Sequence, residues 1–191
     1  MIRESAGDYF NPDEYTQRLI ERNPGLPREQ ANTLAWEEGK RRLEDAISGG
    51  QSFAFETTLG GRTISRLLRR EAGRGMAIKI WYIALDGADR HIARVRARVG
   101  RGGHDIPEQR IRDRYDESRA NLARLIPMAA VVKVYDNSYE ANVDGSEPPR
   151  PRLVLDFVAG RIRTRERLAA TPQWAKPLVA AALKADRRSR G

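Results

Sequence analysis

Ser52-Phe53-Ala54-Phe55-Glu56-Thr57-Thr58-Leu59-Gly60-Gly61-Arg62-Thr63 reads as a strand that turns into a helix. Ser52 to Phe55 is short and rich in aromatics, as strands are. A carboxylate, Glu56, and two hydroxyls, Thr57 and Thr58, follow it. Gly60-Gly61 then makes a turn, and Arg62 starts a helix. Open α/β proteins present ligand-binding residues in this way, at the carboxyl ends of strands. The plainer alternative has Thr57 and Thr58 capping the helix and Glu56 as a solvated strand end.

Upstream, Phe10-Asn11-Pro12-Asp13-Glu14-Tyr15 reads as a helix start. Asn11 is a good N-cap, Pro12 suits the first helical position, and Glu14 stands where a capping box needs it. This helix is expected to run to about Arg22 and stop at Asn23-Pro24-Gly25. A second spans about Pro27 to Ser48, with Ala31, Leu34, Ala35, Leu43, Ala46 and Ile47 as its apolar stripe. Downstream, Arg62 to Ala72 is a helix with Ile64, Leu67 and Leu68 inward. Ala77 to Leu85 is nearly continuously apolar, as expected of a strand covered on both faces. Asp86 is read as the cap of a helix facing inward through Ala88, Ile92, Val95 and Val99. Pro107 opens another helix to about Ala130, and Val131 to Asn137 is a third strand. Ser138 to Pro151 is a loop, Arg152 to Ala159 a fourth strand or hairpin arm, and a last helix begins near Thr171-Pro172. Strands alternating with long helices imply an α/β fold with a mainly parallel sheet flanked by helices.

The bulk numbers narrow the function classes. A chain of 191 residues that is 40% hydrophobic and 32% charged suits one soluble globular domain. Without cysteine there are no disulfides, thiolate metal sites or cysteine nucleophiles. Two histidines, His91 and His104, make a histidine-rich metal site improbable. The polar residues 1–8 show no signal peptide, and no segment has the ~20 apolar residues of a membrane span. A cytoplasmic protein with no membrane partner is expected. The net charge of +9 points to an anionic partner. Its positive side chains concentrate between Arg90 and Arg124, and the basic tail from Lys184 is expected to be disordered.

Three clusters could carry chemistry. Asn11, Asp13 and Glu14 stand at a helix start, where capping is the plainer explanation. Glu56, Thr57, Thr58 and Arg62 form the second. The third is the arginine-rich helical hairpin around Arg101-Gly102-Gly103-His104, either a solvated basic face or a cationic lid on phosphates. His104 alone reads as a turn residue. No Gly-x-x-x-x-Gly-Lys-Ser/Thr occurs anywhere in the chain.

Taken in order, four segments resemble the zeta-toxin-like family of P-loop small-molecule kinases. Phe10-Asn11-Pro12-Asp13 looks like that family's Asn-x-Asp segment after its second strand. Phe55-Glu56-Thr57-Thr58-Leu59 with Gly61 looks like its Glu-Thr-Thr strand end. Arg101-Gly102-Gly103-His104-Asp105-Ile106-Pro107, through Ile111-Arg112-x-Arg114-Tyr115 and Asn121-Leu122, looks like its lid. Val134-Tyr135-Asp136-Asn137-Ser138 looks like its late strand. The ordered likeness covers residues 7–160.

The resemblance implies a P-loop-kinase-like three-layer α/β fold and ATP- and Mg2+-dependent phosphorylation of a hydroxyl on a small acceptor, such as a nucleotide-sugar. Asp13 would then be the general base. Asn11, Glu56, Thr57, Thr58 and Arg62 would hold the acceptor, and Arg101, Arg112 and Arg114 would stabilise the transferred phosphoryl group. One domain is expected over residues 1–186, with 187–191 as tail. The sequence departs from the family at Glu117, where the lid pattern expects a basic residue. It also has no counterpart of the family's first strand, Walker A loop and following helix. Three explanations of that gap are a true start further upstream, a decayed gene, and a fragment kept to bind a partner that supplies the strand. As it stands the chain is expected to bind ATP poorly. The alternative is a non-enzymatic basic protein that binds nucleic acid or an antitoxin-like protein. Nucleic acid is disfavoured, because aromatics are not interleaved with the arginines.

Overall fold

The computed structural model describes residues 8–103, 105–139 and 150–189. Residues 1–7, His104, most of the Ser138–Pro151 loop and the last two residues of the tail lie outside them. The chain divides into two compact units, Met1–Thr58 and Leu59–Gly191.

In the first unit, helix α1 (Pro12–Arg22) begins as its sequence dictates. The Asn11 side-chain oxygen accepts the backbone N–H groups of Asp13 at 2.9 Å and Glu14 at 3.1 Å. Helix α2 (Arg28–Ser48) packs on α1 and buries Ala31, Ala35, Leu43 and Ala46. Leu34, expected on that stripe, is instead 39% exposed. Strands β1 (Tyr9–Phe10) and β2 (Ala54–Phe55) pair in parallel, Tyr9 with Ala54 and Phe10 with Phe55. Parallel neighbours need a long crossover, which α1 and α2 supply. Phe10 is buried and explains a glycine in mid-helix. A Cβ on Gly39 would come within 2.7 Å of the Phe10 ring, so only glycine lets α2 pass so close. That closeness offsets the ~1 kcal/mol a helical glycine costs relative to alanine.

The second unit contains α3 (Arg62–Gly73), β3 (Lys79–Ala84), α4 (Ala88–Val99), α5 (Glu108–Leu125), β4 (Val131–Asp136), β5 (Arg152–Val158), β6 (Arg161–Arg165) and α6 (Lys176–Arg188). A sheet of order β3-β4-β5-β6 runs through it. The pair β3–β4 is parallel, while β4–β5 and β5–β6 are antiparallel, so this sheet is mixed and not mainly parallel. The β5–β6 pair is joined by Ala159 and Gly160, whose φ angles are 49° and 78°. Two successive positive φ values make the tight hairpin turn that antiparallel strands require. The core is continuous across sheet and helices. Val132, Val134, Leu155 and Phe157 are fully buried, as are Leu122, Leu125 and Leu178. Each such side chain contributes roughly 1.5–3 kcal/mol.

Three further expectations are corrected. The Ala77–Leu85 strand is not covered on both faces. Among the described residues β3 has β4 as its one strand neighbour, and Trp81 and Ile83 on its outer side are 42% and 58% exposed. Only alternate residues turn toward the core, where the Tyr82 hydroxyl meets that of Ser118 in α5 at 2.9 Å. Asp86 does not cap α4. Gly87 occupies the cap, and the Asp86 carboxylate pairs with Arg90 at 2.6 Å. Nor does the chain lose order at Lys184. α6 continues to Arg188, because Ala185 and Asp186 are still buried and the Asp186 carboxylate accepts the Ile162 N–H at 3.1 Å. Among the described residues, no helix is long and apolar enough to cross a membrane.

Candidate functional site

The first unit builds a carboxylate site from two short strands. β1 and β2 run in the same direction and end together. The Ala54 N–H donates to the Asp8 carbonyl at 2.9 Å, and the Glu56 N–H to the Phe10 carbonyl at 3.0 Å. The next residue of each chain segment is therefore Asn11 on one side and Glu56 on the other. The Asn11 amide donates to one Glu56 oxygen at 3.0 Å, and the Tyr9 hydroxyl donates to the other. Asn11 thus does two jobs: its oxygen caps α1 and its amide nitrogen holds Glu56. Asp13 and Glu14 are exposed in the first turn of α1, and Thr57 and Thr58 are exposed just after Glu56. Glu56 itself is exposed and carries two neutral donors, so its charge is oriented without being cancelled.

The remaining candidates belong to the second unit and are engaged one by one. Arg62 is the first residue of α3 and is exposed. Arg101 donates to the Ala97 carbonyl at 3.2 Å. Arg112 pairs with Asp89 at 2.6 Å, and Arg96 pairs with Glu108, so two ion pairs tie α4 to α5. The Arg114 stem lies on Gly60, where an added Cβ would come within 3.0 Å of its Cγ. The turn beneath it is strained. Leu59 is buried with φ of 54°, in the left-handed region that disfavours such a side chain by roughly 1–2 kcal/mol. The buried Asn121 amide steadies the turn, donating to the Leu59 carbonyl at 2.9 Å and the Gly61 carbonyl at 3.3 Å. Asn121, quoted above as part of a lid-like segment, holds backbone here. The Thr57 and Thr58 capping alternative fails, since Gly61 is the N-cap of α3 and no side chain caps it. On the inner side of α4, burial pushes the His91 imidazole below its ordinary value and the nearby Arg94 adds to this, so the ring is neutral at neutral pH.

Tyr9, Asp89 and Glu108 were missed by the sequence reasoning. Tyr9 had a usable signal, because it stands two residues before Asn11 and a strand brings such residues to one side. Asp89 and Glu108 had none beyond their charge. The residues present do not fit a nucleotide with its metal. The chain has no phosphate-cradling glycine loop with a lysine, Arg112 already carries a carboxylate, and no group of three or more Asp, Glu or His among the described residues could hold a metal ion.

Comparison with known proteins adds little to this geometry. No family model matches the chain, and no solved structure does. An uncharacterised protein of Haemophilus influenzae is 33% identical over 70 residues, which is 37% of this chain and 50% of that protein. The chain thus spans about half the length of the curated relative it matches.

Proposed function

We propose that the first unit is the acceptor-binding part of a small-molecule phosphotransferase of the zeta-toxin type, working in the cytoplasm. One observation carries this proposal: Glu56 is held by Tyr9 and Asn11 at the shared carboxyl end of two parallel strands. A carboxylate fixed in this way accepts hydrogen bonds from a hydroxylated ligand, such as the sugar of a nucleotide-sugar. Thr58 adds a hydroxyl beside it. Asp13, whose backbone is fixed by Asn11, takes the role of base on the reacting hydroxyl. The P-loop-kinase-like arrangement of the sheet belongs to the same proposal. ATP would be the phosphoryl donor, and because the chain has no P-loop, the polypeptide on its own leaves ATP unused.

The test is calorimetric titration of the 191-residue chain with a panel of nucleotide-sugars and free sugars. At least one should bind, and Glu56→Gln should weaken it about 10- to 100-fold, the worth of a charged hydrogen bond. Asp13→Asn should leave that affinity within about threefold, since a base acts on the transition state. No binding across the panel, or robust ATP turnover by the chain alone, would sink the proposal.

A further inference from the structure

Charge is divided unevenly between the two units. Met1–Thr58 carries 7 Lys and Arg against 11 Asp and Glu, a net −4, whereas Leu59–Gly191 carries 28 against 15, a net +13. Within the basic unit many arginines are already answered. Arg90 has Asp86, Arg96 has Glu108, Arg112 has Asp89 and Arg119 has Asp116. Helix α3 is different. Arg62, Arg66 and Arg69 are all exposed, and none of their side chains makes an ion pair or hydrogen bond among the described residues. Arg70, on the same helix, pairs with Glu71.

The spacing turns these three residues into a row. At ~100° and ~1.5 Å per residue, positions 62, 66 and 69 fall within a sector of about 60° and span about 10 Å of helix. The buried residues Leu67, Leu68 and Glu71 lie on the opposite side. Like charges at this spacing disfavour a helix, and nothing among the described residues offsets them. A row of phosphates would.

We propose that this face of α3 docks on the phosphate backbone of a nucleic-acid duplex, without regard to base sequence. Guanidinium forks match phosphate oxygens, and a linear row matches a linear polyanion better than a single small anion. A protein partner fits less well. Protein interfaces are anchored by apolar or aromatic side chains, and none of the exposed large hydrophobic residues lies on α3. The lack of interleaved aromatics argued against nucleic acid in the sequence. Stacking aromatics serve single strands, however, and duplex backbone contact needs only positive charge. The proposal rests on the second unit and does not depend on the Glu56 site in the first.

Fluorescence anisotropy tests it, with the full chain titrated onto a labelled mixed-sequence DNA duplex of about 20 base pairs at about 50 to 200 mM salt. Log affinity should fall linearly with log salt. The triple variant Arg62→Gln, Arg66→Gln, Arg69→Gln should flatten that slope by about 2 to 3 and weaken binding at least about tenfold at the lowest salt. A control that removes Arg110, Arg163 and Arg167 as glutamines deletes the same charge from exposed side chains that have no partner among the described residues. It should change the slope by less than about 1. The proposal is overturned if the control acts as strongly as the α3 variant, or if the wild-type chain fails to bind at the lowest salt. It is also overturned if poly-glutamate of similar length binds as well as the duplex, which would point to an acidic protein. Circular dichroism melts of the variants should overlay that of the wild type, since all six side chains are exposed.

Discussion

Glu38 shows how much a single residue can be read from its neighbours. It lies on α2 between two arginines, accepting from Arg41 at 2.8 Å and Arg42 at 2.6 Å. Those hydrogen bonds, that of Arg41 first, hold its carboxyl at about 2, against an ordinary 4.5, although burial opposes them. A carboxyl that titrates lower in the folded state favours folding when ionised. Its contribution is complete above about pH 4.5 and disappears as the pH falls toward 2. Glu38→Gln should therefore lower stability by under about 1 kcal/mol at pH 7, the usual worth of solvent-reached pairs. The gap should close as the pH falls through that window, in urea unfolding at stepped pH. These contacts are three and four residues apart and were legible, as was the Asn11 cap, because helix geometry fixes such neighbours. The Tyr9–Glu56 bond was not legible, since its partners are 47 residues apart and no local spacing encodes their meeting.

At the scale of elements, helices were read well because caps and glycines punctuate them. Asn11-Pro12 starts α1, and Gly49-Gly50 ends α2. The hairpin of β5 and β6 was half read, as an arm without its return strand. Its turn is Ala159-Gly160, and hairpins with two positive φ values usually advertise themselves by Asn-Gly or Asp-Gly. Alanine at a φ of 49° is also a weakness of the fold. Ala159→Asn should raise stability by about 0.5 to 1 kcal/mol by relieving that strain, seen as a higher melting temperature with unchanged circular dichroism. A lower melting temperature would mean that the turn is held by contacts other than its own backbone. The edge position of β3 escaped the sequence for a different reason. Its apolar run is what an interior strand carries, and composition does not say how many neighbours a strand has.

For the whole molecule, the sequence conveyed the α/β class and the helix count more faithfully than the sheet. Parallel order was inferred from alternation of strands and helices, and alternation stops after β4. The division into two units was equally hidden, since no linker composition marks Thr58–Leu59. Asn11, Asp13, Glu56, Thr57 and Thr58 lie in one unit, and Arg62, Arg101, Arg112 and Arg114 lie in the other, so the two groups can be mutated and measured separately. Within its unit, and among the described residues, the side of β3 away from β4 has no strand partner. Neither proline nor a bulge interrupts it, and Lys79 is its one charge. Unpaired strand edges of this kind attract other chains. Ile83→Lys should reduce light scattering at high protein concentration and leave the melting temperature within about 1 °C. If scattering is unchanged, association uses another surface. A net charge of +9 would ordinarily keep copies apart in dilute buffer. Salt screens that repulsion and leaves a sticky backbone ribbon uncovered. Concentrated stocks, crystallisation drops and freeze–thaw cycles should therefore fail first at high ionic strength, with one strand setting the limit.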